Sequence, residues 1–67
     1  MPTQQRLAMR LRKIRKKRGM TQEQLALKAD ISRVYLAQIE RQRQDPSLSV
    51  VVRLAKALKV KVGDLVD

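Results

Sequence analysis

The stretch from Arg33 to Arg41 combines an apolar side and a chemically varied side on one predicted helix. At about 100° per residue, Leu36 and Ile39 point one way, while the other side carries cations, an amide and small apolar groups. The outward residues are Arg33, Val34, Ala37, Gln38 and Arg41. Side chains of these types bind guanine, adenine and the thymine methyl group in the major groove of DNA. A mixed, solvated helix face would have the same composition, so the surrounding sequence has to decide between the two interpretations.

The chain carries few groups that could catalyse a reaction. It contains no cysteine and no histidine, which excludes disulfides and Cys/His zinc sites. The six carboxylates fall at no spacing typical of a metal site or an acid/base pair, and two glycines do not make a phosphate-binding loop. These carboxylates are Glu23, Asp30, Glu40, Asp45, Asp64 and Asp67. We therefore predict no enzyme activity, no cofactor and no metal site.

Positive charge dominates the composition. Sixteen Lys and Arg against six Asp and Glu give a net charge of +10, and such a field attracts nucleic acid first and an anionic membrane second. Residues 1–22 hold eight basic groups and no acidic one, a pattern that a transit peptide or a membrane-surface helix would share. No apolar run approaches the roughly 20 residues of a membrane span, and no secretory signal follows the start. We therefore expect nucleic acid, and no membrane, as the partner.

Two short helices joined by a tight turn are predicted between Thr21 and Arg41. Thr21 and Gln24 form a capping box that begins helix two, which runs to about Ala29. Ser32 can cap helix three, so the two caps lie eleven residues apart and leave a turn of about three residues. This is the geometry of a helix-turn-helix unit over residues 21–41, and it favours the groove-binding interpretation of the outer face.

Helix one is predicted from Gln4 to Arg18, because no helix breaker falls between them. Thr3 can cap it, and Gly19 ends it as a residue that readily adopts the left-handed conformation. Most of its basic residues lie off its apolar stripe, so we expect the stripe to pack against the helix-turn-helix unit.

Helix four is expected to begin with Asp45 as cap and Pro46 as its first residue, although Ser47 competes as the cap. Its core-facing residues are predicted to be Leu48, Val51, Leu54, Ala55 and Leu58. A short final element follows within residues 60–66. The predicted fold class is all-α, with four helices and a short fifth in one domain of residues 1–67 that leaves no room for a second, ligand-binding domain.

Three segments resemble the phage-repressor and Cro type of helix-turn-helix proteins, the XRE family. They are MTQEQLALKADISRVYLAQIER, DPSLSVVVRLAKAL and VKVGDLV, and together they cover most of the chain. The resemblance is specific, because caps, turn length, small alanines and the trailing Leu-Ala-x-x-Leu fall in the same order. It implies a compact five-helix, lambda-repressor-like domain that binds double-stranded DNA, usually as a two-fold dimer on a palindromic operator.

The resemblance also implies roles for individual positions. Gln22 would bind a DNA phosphate from the start of helix two, and Arg43 would reach one from the loop after helix three. Tyr35 and Arg41 would lie beside the DNA backbone. The base-reading positions would be Ser32, Arg33, Val34 and Gln38, chiefly Arg33 and Gln38.

Arg15 and Glu40 match a pair of family positions that form an internal salt bridge. Both lie beside apolar faces of their helices and carry opposite charges, so we expect a structural pair that does not contact DNA. Removing one partner of such a mostly buried pair costs roughly 3–5 kcal/mol.

Four positions depart from the family pattern. Asp30, Gln42 and Lys59 stand where glycine is common, and Lys61 stands where a serine or threonine would cap the last helix. We therefore expect a longer or strained loop after helix three, and the C-terminal element is the part of the fold that the sequence specifies least.

Three functions remain open at this point. The first is a sequence-specific, dimeric transcription regulator acting in the cytoplasm at the nucleoid, with helix three in the major groove. The second is an antitoxin-like module that neutralises a toxin or other protein partner through Val50, Val62 and Val66, although these valines equally fit the core or a homodimer contact. The third is a binder that works through charge alone. The sequence specifies neither the operator, the target genes, an effector nor the direction of regulation.

Overall fold

Five α-helices form the computed structural model, which describes residues 3–67, with no strand among them. The helices are α1 Thr3–Lys17, α2 Gln22–Ala29, α3 Arg33–Glu40, α4 Leu48–Leu58 and α5 Val62–Val66. The predicted all-α, five-helix architecture is confirmed. The expected cap at Thr3 lies outside the side chains that the structure describes.

Local hydrogen bonds fix the turn between α2 and α3. Thr21 Oγ1 accepts from the Gln24 amide at 3.0 Å, and Gln24 Oε1 accepts from the Thr21 amide at 2.9 Å. Ser32 Oγ accepts from the Tyr35 amide at 3.0 Å and so begins α3. Asp30 adopts the left-handed conformation, with φ 58°, and reverses the chain. The predicted capping box and the three-residue turn are both present.

One apolar core holds the helices together. Helix α2 packs against α3 and α4, while α1 packs against α3 and α5. Ala26 and Ala29 are buried where α2 meets its neighbours, and their small side chains permit close approach. The largest fully buried residues are Leu11, Leu25, Leu36, Ile39, Leu54, Leu58 and Leu65. Leu36 and Ile39 thus anchor one side of α3 and leave its other side facing outward.

Helix α4 begins later than expected. Ser47, rather than Asp45, is its cap, and Ser47 Oγ accepts from the Val50 amide at 3.3 Å. The expectation of Pro46 as the first helical residue is therefore wrong. Leu48 takes that position and is 72% exposed, so its predicted place in the core is also wrong. The first turn of α4 extends past the core, which the helix reaches only at Val50.

Three helix ends use a residue other than glycine in the left-handed region. Asp30, Gln42 and Lys59 have φ values of 58°, 63° and 59°. At the start of α5, the Lys61 amide donates to Asp64 Oδ2 at 2.9 Å. Since a lysine side chain has no acceptor, Asp64 supplies this cap. The C-terminal element is therefore a regular short helix, and Leu65 within it is fully buried.

Candidate nucleic-acid interface

The outward side of α3 and the loop after it form one shallow depression. Six residues line it: Arg33, Val34, Ala37, Gln38, Arg41 and Arg43. We call these residues the recognition face. Arg33, Arg41 and Arg43 are exposed, Gln38 is half-buried, and Val34 is 58% exposed. The structure thus brings together three of the four predicted base-reading residues with two of the four predicted backbone-contacting residues.

Ser32 and Tyr35 lie at the border of the recognition face and also have structural roles. The Ser32 hydroxyl caps α3, yet it keeps a proton that it could donate to DNA. Tyr35 is half-buried and packs against the core cluster. Base reading by Ser32 and a backbone contact by Tyr35 stay predictions.

A buried ion pair fixes α3 to α1. Arg15 Nε donates to Glu40 Oε2 at 2.8 Å, and Arg15 Nη2 donates to Glu40 Oε1 at 3.1 Å. Arg15 Nη1 also donates to the Met20 carbonyl at 2.9 Å. Arg15 and Glu40 are only 8% and 3% exposed. The pair expected from the sequence is present and lies in the protein interior, and the expectation that neither residue contacts DNA stays a prediction.

Gln22 joins this ion pair. Gln22 Nε2 donates to Glu40 Oε1 at 3.1 Å, and the residue is half-buried. Because an ionised carboxylate only accepts hydrogen bonds, the NH₂ group of Gln22 has to point toward Glu40. The second proton of that NH₂ group takes no part in the hydrogen bond to Glu40, and a phosphate contact at this helix N-terminus stays a prediction. The sequence did not reveal this link, since Gln22 and Glu40 lie 18 positions apart.

The three valines considered as partner contacts do not share one environment. Val50 is 8% exposed and belongs to the core of the chain itself. Val62 and Val66 are half-buried and pack against that core from α5. Leu48 presents far more apolar surface than these valines. The sequence signal for its exposure was Ser47, because a cap at Ser47 makes Leu48 the first residue of α4.

Neither a metal-binding cluster nor a membrane-spanning helix is seen in residues 3–67. That part of the chain has no group of three or more Asp, Glu, His or Cys residues placed to hold a metal ion. Within the same residues, no helix has the length and hydropathy needed to cross a bilayer.

Comparison with known proteins agrees with the geometry of α2 and α3. The sequence pattern of a helix-turn-helix family matches residues 11–65. The chain belongs to this XRE-type helix-turn-helix family. The match includes the whole helix-turn-helix unit and the ion pair that anchors it.

Two curated members of the helix-turn-helix family are close in sequence. The immunity repressor protein of Bacillus phage phi105 is 53% identical over 57 residues, which are 85% of this chain and 40% of the repressor. The control protein C.BamHI of Bacillus amyloliquefaciens is 41% identical over 59 residues, which are 87% of this chain and 73% of that protein. The chain thus spans well under half of the phage repressor's length and most of the control protein's.

A solved structure shares the overall fold of the chain. The restriction-modification controller protein C.AhdI from Aeromonas hydrophila superposes with a TM-score of 0.90 at 32% identity. The match covers 92% of this chain and 94% of the controller.

Proposed function

We propose that this chain is a sequence-specific regulator of transcription that binds double-stranded DNA with α3 in the major groove. The recognition face carries the proposal, since it presents Arg33 and Gln38 beside the exposed Val34 on one outward surface. Arg binds guanine with two hydrogen bonds, Gln does the same with adenine, and an apolar group contacts the thymine methyl. Such a regulator would work at the nucleoid in the cytoplasm.

Binding as a two-fold dimer on a palindromic operator is part of the proposal. A single α3 reads only a few base pairs, and two copies would enter successive major grooves about 34 Å apart. Val62 and Val66 on α5, together with the exposed Leu48, are the apolar residues proposed for the contact between copies. The similarity to a phage repressor and to restriction-modification controllers favours regulation over the neutralisation of a toxin.

Selection of bound sites from random duplex DNA tests the proposal. We expect a consensus of two inverted half-sites, because a two-fold dimer presents the same recognition face twice. Arg33→Ala should cost about 1–3 kcal/mol of discrimination at one base position of each half-site. Equal affinity for the selected site and for random duplex at physiological salt would overturn the proposal.

Arg12→Ala is the matched control for this substitution. Arg12 is an exposed arginine of α1 that does not line the recognition face. Its loss should leave the selected consensus unchanged and lower affinity for all sequences by the same factor, if at all. A protein that binds through charge alone would show the same uniform loss of affinity when Arg33 is replaced by alanine.

A further inference from the structure

A second concentration of basic side chains lies where the ends of α2 and α4 come together. Lys28 from α2 and Arg53, Lys56 and Lys59 from α4 and its end line one depression. Asp30 is the acidic residue of this depression, and its backbone carbonyl accepts a hydrogen bond of 3.2 Å from Arg53 Nη1. Four cations therefore face one carboxylate here.

The positive surface continues onto α1. A neighbouring depression shares Lys28 and Lys59 with the first one and adds Arg18. Arg18 also lines a third depression, in which further basic residues of α1 lie beside Asp64 and α5. We call these three depressions the second basic surface. Half of the sixteen Lys and Arg line it, and none of them lines the recognition face.

Helix polarity accounts for only part of this charge. A cation in the last turn of a helix gains about 0.3–1 kcal/mol from the helix dipole, and Lys28 and Lys56 lie in the last turns of α2 and α4. Arg10, which lines the third depression, lies in the middle of α1 and gains little from the dipole. Within residues 3–67 the one ion pair joins Arg15 and Glu40. Two carboxylates, those of Asp30 and Asp64, line the second basic surface against eight cations, so the surface keeps a net positive charge.

We propose that the second basic surface binds the phosphate backbone of a second DNA duplex while the recognition face holds the first. One molecule would then connect two segments of DNA. The inference goes beyond site-specific binding, because it requires no base contact and assigns a role to charge that lies off the recognition face.

The chemistry of the second basic surface favours duplex DNA over an acidic polypeptide. Lysine is a compact point charge on a flexible stem, which suits phosphates at varied positions along a backbone. The apolar lining of the first depression consists of Ala29 and Ala57. These side chains are too small to form the deep pocket that an anchoring residue of a protein partner fills. The larger apolar residues of the other two depressions pack into or against the core of the chain itself; they are Ile14, Met20, Leu58 and Val60.

A two-duplex capture assay tests the proposal. Beads carry a duplex with the selected site, the chain is added to saturation, and a labelled random duplex is then offered at low salt. We expect wild-type protein to retain the labelled duplex and Lys28→Gln/Lys56→Gln to retain several-fold less. Occupancy of the bead-bound duplex should be unchanged relative to the control variant.

Arg12→Gln/Lys16→Gln is the matched control. It removes the same charge from exposed residues of α1 that line none of the three depressions. Lys17→Gln/Lys28→Gln removes one charge of the second basic surface from α1 and one from α2. It should retain as little labelled duplex as Lys28→Gln/Lys56→Gln. Thermal unfolding of all three variants verifies that they remain folded.

Three results would overturn the proposal. They are no capture of the labelled duplex by wild-type protein, an equal loss in the control variant, and polyglutamate bound through Lys28 and Lys56 without any capture of duplex. A separate arm combines Arg33→Ala/Gln38→Ala with random duplex alone. In that background, adding Lys28→Gln/Lys56→Gln should still lower the affinity for random duplex. This arm tests the second basic surface without base reading, so a failure of the proposed function is distinguished from a failure of this inference.

Discussion

Glu40 interacts with two residues, Arg15 and Gln22, in different ways. It neutralises Arg15 in the interior, and it accepts a hydrogen bond from Gln22 at the start of α2. The opposite charges of Arg15 and Glu40 beside apolar faces were visible in the sequence, so their pairing could be predicted. The third member could not, because nothing in the spacing of Gln22 indicates that α2 and the end of α3 meet. The orientation of the Gln22 side chain therefore depends on a buried carboxylate.

Replacing Arg15 by alanine should destabilise the fold severely. The substitution leaves the Glu40 carboxylate buried without its main partner, which costs about 3–5 kcal/mol. A chain of this length has a total stability of roughly 3–10 kcal/mol, so Arg15→Ala should lose a third or more of its stability and unfold at a much lower urea concentration than wild type. Urea unfolding followed by circular dichroism measures the change. A wild-type midpoint would show that the pair contributes nothing.

The double variant Arg15→Met/Glu40→Leu separates charge burial from DNA binding. It leaves no unpaired charge, so most of the lost stability should return. Gln22 nevertheless loses the acceptor that orients its NH₂ group. We expect this folded variant to bind all DNA sequences more weakly than wild type, with an unchanged consensus. Wild-type affinity in the double variant would exclude an orienting role for Glu40.

Local hydrogen bonds determine the ends of some helices, and packing against the rest of the chain determines the position of others. The turn between α2 and α3 could be predicted because Thr21, Gln24 and Ser32 bond only to backbone or side chains three residues away. The start of α4 was mispredicted because two caps compete within three positions and sequence alone does not rank them. Leu48 was predicted to be buried because it fits the helical spacing of apolar residues. Only the path of α4 shows that its first turn lies beyond the core.

The end of α3 offers a test of backbone strain. Gln42 has a φ of 63°, a conformation that costs a residue with a Cβ about 1–2 kcal/mol. Gln42→Gly removes this cost but gains unfolded-state freedom worth about 0.5–1 kcal/mol. The difference is a net stabilisation of about 0–1.5 kcal/mol, measured by urea unfolding.

Gln44→Gly is the control for this change. It lies in the same loop, is also exposed, and does not have a positive φ. Glycine there brings only the entropic cost, so stability should fall by about 0.5–1 kcal/mol. If both substitutions destabilise equally, the left-handed conformation of Gln42 carries no strain.

At the scale of the whole molecule, the sequence predicted the sign of the charge and only part of its placement. Net charge and the basic start of the chain are properties of composition. The meeting of Lys28, Lys56 and Arg18 is a property of packing, because these residues come from α2, α4 and the turn after α1. The recognition face was predictable because five of its six residues lie on α3 or directly at its end, from Arg33 to Arg41.

Salt dependence connects the charge of the whole molecule to the number of copies on DNA. Arg43 is exposed at the edge of the recognition face, and its backbone amide donates to the Gln38 carbonyl at 2.8 Å, which holds the loop against α3. If Arg43 binds a phosphate, Arg43→Gln removes about one released counterion for each copy bound. The plot of log Kobs against log salt should then become shallower by about 2 for a dimer and by about 1 for a monomer.

Arg12→Gln supplies the baseline for this measurement, since it removes an exposed arginine outside the recognition face. Its slope should stay within a few tenths of wild type, because a charge away from the DNA releases few counterions. Arg43→Gln should also lower affinity for every sequence equally, since phosphate contacts position a protein without reading bases. An unchanged slope would remove Arg43 from the DNA contacts, whereas a decrease of about 2 would establish both the phosphate contact and the pair of copies that the two half-sites require.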